Sequence, residues 1–227
     1  MILWMRHTAL PSMACGSKFE KENTMKIIGL TGPSGSGKGV CCEHFNALGI
    51  PCIDTDKVYH NLLLPPSKCA DELADRFGRE ILREDKTVDR KKLASIVFSD
   101  QSGRSAEALN KISHKYVKEK TVLMLDDFRK QGKAAAVVDA PLLFEAEFEK
   151  FCDLTIAILA ERELRLERIM TRDMLSREKA NERISAQKPD DFYRCKASYT
   201  LYNNKECEEL FSSLDRILEK ENVSFDT

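Results

Sequence analysis

Apolar residues follow two periods along this chain. Short continuous runs occur at Ile27–Thr31, Pro51-Cys52-Ile53-Asp54, Ala135–Asp139, Asp153–Leu159 and Tyr199–Tyr202. Runs of this length between turn residues predict strands covered on both faces. Helical patterns fill the gaps over Lys38–Leu48, Asp56–Leu64, Ala70–Phe77, Asp89–Phe98, Ser105–Lys130, Glu161–Arg172, Ser176–Ala186 and Lys205–Glu221. In the longest of these, Leu109, Ile112, Tyr116 and Leu123 fall on one side and Val117, Met124 and Phe128 on the next, a broad buried stripe. Gly49 and Gly132 stand where helices end. Strands alternating with helices predict an α/β fold: three layers around a parallel five-stranded sheet. From about residue 60 to 115 there are helices and no strand, which predicts a helical insertion beside the core.

The turn after the first strand changes this picture from a fold to a chemistry. It reads Gly32-Pro33-Ser34-Gly35-Ser36-Gly37-Lys38-Gly39 and leads directly into a helix. Strand, glycine loop and helix make a phosphate-binding P-loop. Backbone N–H groups of such a loop point inward at an anion, and the helix N-terminus adds partial positive charge. Gly32, Gly35, Ser36, Gly37, Lys38, Gly39 and Val40 are the candidate nucleotide contacts, with Lys38 reaching the β- and γ-phosphates. The usual loop ends in a serine or threonine whose hydroxyl ligates Mg²⁺. Here Gly39 has no side chain, so an altered metal site is expected.

Composition narrows the class further. At 227 residues the chain fits one large α/β domain, and a net charge of −1 supplies no global field for nucleic acid or an anionic membrane. No apolar stretch approaches the ~20 residues of a membrane span. The eight cysteines include no CxxC pair and no zinc spacing, which favours reduced thiols and the cytoplasm. Residues 1–24 lack a signal-peptide core and read as a disordered leader before a single domain of 25–227. A monomer or small homo-oligomer is expected.

Three further clusters carry candidate chemistry. Asp54 and Asp56 follow the second strand, at the sheet edge where open α/β folds bind ligands. A carboxylate there can take a proton from a hydroxyl or hold Mg²⁺; either could equally be a helix N-cap. Asp139 ends the third strand in the place of a metal-holding carboxylate, followed by the apolar wall Leu142, Leu143 and Phe144, suited to an organic substrate. An ordinary strand-to-helix corner is the alternative. Arg165, Arg168 and Arg172 lie at i, i+3 and i+7 on one helix face, able to close over a triphosphate or to pair with Glu161, Glu163 and Glu167 in solvent. His114 is either a substrate-phosphate contact or a plain helical histidine.

Together these pieces resemble the dephospho-coenzyme A kinase family. The resemblance rests on Ile28–Lys38, on Asp54-Thr55-Asp56, and on Val88-Asp89-Arg90 within a helical substrate domain. It continues through Asp139-Ala140-Pro141-Leu142-Leu143-Phe144-Glu145, the lid segment Arg168–Asp173, and Ile184-Ser185-Ala186-Gln187. It implies a P-loop kinase core with a substrate-binding insertion and an arginine-bearing lid at about 161–190. It implies ATP and Mg²⁺ as cofactors and phosphorylation of the 3′-hydroxyl of dephospho-coenzyme A. By position Asp56 activates that hydroxyl, Lys38 holds ATP, Arg168 or Arg172 neutralises the migrating phosphoryl group, and Asp54 and Asp139 anchor metal. Asp54, Asp56, Leu142, Leu143 and His114 are the substrate-side candidates. Three positions depart from the pattern: Gly39, Lys115 where the family carries proline, and Ser198 where it carries aspartate. A related nucleoside or small-metabolite kinase, or an impaired nucleotide-binding paralogue, are the alternatives.

Overall fold

Successive side chains of a strand point to opposite faces, so a wholly apolar strand needs cover on both sides. The computed structural model, which describes residues 25–224, meets this need for a sheet of five parallel strands. These are β1 (Lys26–Thr31), β2 (Cys52–Asp54), β3 (Ala135–Asp139), β4 (Leu154–Leu159) and β5 (Tyr199–Tyr202), in the order β2-β3-β1-β4-β5. Ile28 and Leu30 pack with Phe45 of α1 (Lys38–Ala47) and Leu214 of α9 (Cys207–Lys220). Their neighbour Ile27 packs into the opposite layer, with Val117 and Leu125 of α5 (Arg104–Lys130) and Tyr193 of α8 (Asp190–Lys196). The expected leader, residues 1–24, lies outside the described residues.

Between β2 and β3 run α2 (Thr55–Leu62), α3 (Lys68–Phe77), α4 (Arg90–Ser99) and α5. Leu73, Phe77, Ile81, Leu93, Val97 and Ile112 form a core of their own there, away from the sheet. After β4 come α6 (Arg162–Asp173) and α7 (Arg177–Ser185), held together by the small cluster Leu166, Ile169, Ala180 and Ile184.

Helix α8 has no counterpart in the sequence reading. It has only 7 residues and buries Tyr193 alone, too little for a 3.6-residue apolar period to show. The two other departures from the family pattern have local explanations. Helix α5 runs unbroken through Lys115, whose Nζ reaches Glu72 at 2.8 Å and ties α5 to α3. Ser198 closes the start of the β4–β5 pair: its N–H donates to Thr155 Oγ1 at 3.0 Å and its Oγ accepts from Thr155 N–H at 3.1 Å. Among the described residues no helix is long and apolar enough to cross a membrane.

Candidate active site

Parallel strands deliver their carboxyl ends to one edge, and ligands bind there in open α/β sheets. The register makes the convergence specific: Asp139 stands beside Leu30 of β1 on one side and Asp54 of β2 on the other. The glycine loop leaves β1 and turns into α1 at Gly37, whose φ of 100° lies in the left-handed region. A Cβ at Gly37 would sit 2.0 Å from Asn203 Nδ2, which donates to the Ser36 carbonyl at 2.9 Å. Asn203, just beyond β5, therefore holds the loop from behind, a role the sequence did not signal. Lys38 Nζ donates to the Gly32 carbonyl at 2.8 Å and folds back along the loop. Burial lowers its pKa, opposed by Asp139 and Asp56. Around Gly39 a Cβ would meet nothing within 4 Å, so the missing side chain leaves open space toward the cleft.

The three carboxylates have different environments. Asp54 is the N-cap of α2: Oδ1 accepts from Lys57 N–H at 2.9 Å, and Oδ2 pairs with Lys57 Nζ at 3.1 Å. Asp56, in the first turn of α2, opens onto the cleft. Enclosure by the cleft walls raises its pKa, Asp54 adds to the rise, and Lys38, His60 and Arg90 oppose it. Asp139 is pushed up to about 6 by burial, with Lys38 opposing and Asp54 and Asp56 reinforcing. Its Oδ2 accepts from the Cys42 thiol at 3.7 Å, while its Oδ1 is buried with no hydrogen-bond partner.

Helix α6 turns its arginine face onto the glycine loop. The solvent-laced alternative fails for Arg165 and Arg168, which turn inward, while Arg172 keeps most of its side chain in solvent. Arg165 is only 5% exposed; its Nε donates to the Ser34 carbonyl at 3.0 Å and its Nη2 to Gln187 Oε1 at 2.7 Å. Arg168 donates to the carbonyls of Gly35 and Asn203 at 3.3 and 3.1 Å. Arg172 bridges Asp173 and the Ser34 hydroxyl, and Asp173 is also paired with Arg183.

Loop, carboxylates and lid surround a cleft of about 890 Å³, lined by Gly35, Gly37, Lys38, Gly39 and Val40, by Asp54, Asp56 and Asp139, and by Arg168 and Arg172. Thr171, Arg183 and Gln187 also line it; Thr171 and Gln187 lie inside the segments that carry the family resemblance, but none of the three was a candidate contact. A second cavity of about 160 Å³ adjoins it between α2, α5 and the segment after β3. Asp56 and Pro141 line both. His114 and Leu142 face the smaller cavity. Leu143 does not: it has no exposed surface and packs against Gly29 under the sheet edge, so it belongs to the core rather than to a substrate wall. Phe144, 7% exposed, is core as well.

A phosphate-cradling loop, a lysine, clustered carboxylates and an arginine lid on a five-stranded parallel sheet define the class of P-loop kinases. The family model for dephospho-CoA kinase matches residues 26–209, so the chain belongs to that family and is a kinase. It is 33% identical to the dephospho-CoA kinase of Oceanobacillus iheyensis over 198 residues, covering 87% of this chain and 98% of that one. It is 37% identical to the Arabidopsis thaliana dephospho-CoA kinase over 194 residues, 86% of this chain and 83% of the relative. Among crystal structures, TT1252 from Thermus thermophilus superposes with a TM-score of 0.71 at 30% identity, covering 86% and 97% of the two chains. Shikimate kinase from Acinetobacter baumannii shares the fold, with a TM-score of 0.51 at 17% identity and coverage of 88% and 96%.

Proposed function

We propose that this chain transfers the γ-phosphoryl group of ATP to the 3′-hydroxyl of dephospho-coenzyme A, giving coenzyme A and ADP. The observation that carries this reading is the position of Asp56 on the shared wall of two cavities, one built for phosphates and one mostly apolar. Asp56 accepts the proton of the acceptor hydroxyl as its oxygen attacks the γ-phosphorus and the bond to the ADP oxygen breaks. A raised carboxylate pKa suits that task, because a stronger base takes the proton more readily. The loop N–H groups and Lys38 hold the β- and γ-phosphates. Arg168 and Arg172, on the far wall, balance charge on the group in flight.

The residues present fit Mg²⁺. Asp139 lines the cleft and carries a hard oxygen donor, Oδ1, that is buried and has no hydrogen-bond partner. Asp54 already spends both oxygens on Lys57, so Asp139 is the stronger anchor of the two. Mg²⁺ commonly keeps several waters and is held by one or two carboxylates with substrate phosphates, so Asp139 would act with the bound nucleotide. When bound, the ion neutralises charge on the phosphate oxygens. The same reading places the chain in the cytoplasm, as a monomer or small homo-oligomer acting on a small molecule.

An ADP-release assay with dephospho-coenzyme A, run beside a panel of nucleosides and shikimate, tests the reading. Turnover is expected with dephospho-coenzyme A and ATP, with the product phosphate on the 3′ oxygen. Turnover of nucleosides without turnover of dephospho-coenzyme A overturns it.

A further inference from the structure

We propose that the smaller cavity beside Asp56 seats the adenine ring of the acceptor, and that the Ser113 hydroxyl reads it. This inference rests on the proposed reaction and deepens it. The cavity holds about 160 Å³, below the ~300–1,000 Å³ of sites that enclose whole drug-sized ligands, so it takes one ring system rather than the entire acceptor. Its walls include the side chains of Tyr59, Leu109, Val117, Leu142 and Phe148.

The acceptor's own chemistry limits which part can enter. The reacting 3′-hydroxyl must lie at Asp56. Apart from the small 2′-hydroxyl, the sugar carries two groups that could fill a cavity: the base on C1′ and the diphosphate on C5′. An anion entering this cavity would find no lysine or arginine on its lining, and Asp56 at its mouth. His114 supplies no charge either, since burial and then Lys118 hold its pKa below the usual imidazole range. Desolvating a diphosphate without a partner is far costlier than burying a neutral heterocycle. The base is therefore the part that fits.

Ser113 carries the specificity. It is 8% exposed and its Oγ has no hydrogen-bond partner. The Tyr59 hydroxyl is near enough to feel it, but the two meet in no hydrogen bond of good geometry. A buried hydroxyl left unpaired costs about 1–3 kcal/mol, and such groups are few in folded proteins. A hydroxyl both donates and accepts, which matches the ring nitrogens and exocyclic amine of adenine.

The test titrates adenosine and 4′-phosphopantetheine into the protein saturated with a non-hydrolysable ATP analogue, by calorimetry. Adenosine is expected to bind and to compete with dephospho-coenzyme A; phosphopantetheine is expected not to block adenosine. Ser113→Val, which replaces the hydroxyl with two methyl groups at the cavity wall, should raise the dephospho-coenzyme A KM at least tenfold with ATP affinity unchanged. Ser113→Ala, nearly isosteric, should raise it about fivefold and reduce discrimination against a hypoxanthine analogue of the acceptor. A Ser113→Val protein that melts like wild type and keeps its acceptor KM overturns the proposal. So does phosphopantetheine that displaces adenosine, or adenosine that fails to bind. The binding arm needs no turnover, so failure of the pocket assignment is separable from failure of the reaction.

Discussion

Asp56 and Asp139 are both aspartates with raised pKa values, yet they predict opposite experiments. Asp56 acts in the transition state, so Asp56→Asn should lower kcat by about 10²–10⁴-fold with ATP affinity within twofold of wild type. Because Asp56 must be ionised to take a proton, the acid limb of kcat/KM should lie above the ordinary aspartate value of about 3.9 and vanish in the variant. Wild-type kcat in Asp56→Asn removes it from the reaction. Asp139 is held near 6 against an unfolded value of 3.8, so folding favours its protonated form. That stability is fully present below about pH 4 and is lost as pH rises through about 6. Asn mimics the neutral form. Asp139→Asn should therefore stabilise the nucleotide-free protein at pH 7.5 by up to about 3 kcal/mol, with little gain at pH 4, while activity falls. An equal shift in Tm at both pH values refutes the buried-carboxylate account. At Gly39 the surrounding space is open and the backbone is not left-handed, so Gly39→Ser should fold at least as stably as wild type. It should also lower the Mg²⁺ concentration at half-maximal rate. An unchanged titration means that this position never touches the ion's shell. The glycine loop, Asp56 and Asp139 were legible because each follows an apolar strand. The difference between the two aspartates was not, since it depends on which other charges and walls the fold packs around them.

At the scale of elements, α6 is the piece that joins lid to loop. Ser34 has both backbone groups held from that side: its carbonyl accepts from Arg165 Nε, and its N–H donates to Gln187 Oε1 at 3.2 Å. Gln187 Oε1 also accepts from Arg165, so one oxygen ties loop, α6 and the end of α7 together. Arg165→Met keeps the bulk and removes the donors, leaving the half-buried Ser34 carbonyl without this partner. It should lower Tm and weaken ATP binding of the folded protein by tenfold or more, with the acceptor KM little changed. Unaltered ATP affinity by calorimetry would mean that Arg165 only supports the lid. The i, i+3, i+7 spacing of Arg165, Arg168 and Arg172 marked a common face. What that face meets was invisible, because Ser34 lies 131 positions before Arg165 and no local period links them.

For the whole molecule, the two-part organisation predicts two separate footprints in hydrogen exchange. The sheet carries a core on each face and the α3–α4 region one of its own, so each ligand should protect its own part. A non-hydrolysable ATP analogue should slow exchange over residues 32–40 and 165–187. Added dephospho-coenzyme A should slow it over residues 109–117. Protection of the second region by nucleotide, and of the first by acceptor, would invert the assignment of the two cavities. Apolar runs, helical periods, the glycine loop and the charge pattern determined the α/β class, the strand edge that binds phosphate and the kinase family, because these signals are local and repeat within a few residues. The tertiary structure decided that Leu143 is core and Leu142 is wall, that Asp54 caps a helix while Asp139 keeps an oxygen bare, and that Ser113 faces a cavity. Each of those outcomes depends on which distant segment is packed against the residue, and burial and partnership are properties of that packing rather than of the chain's own order.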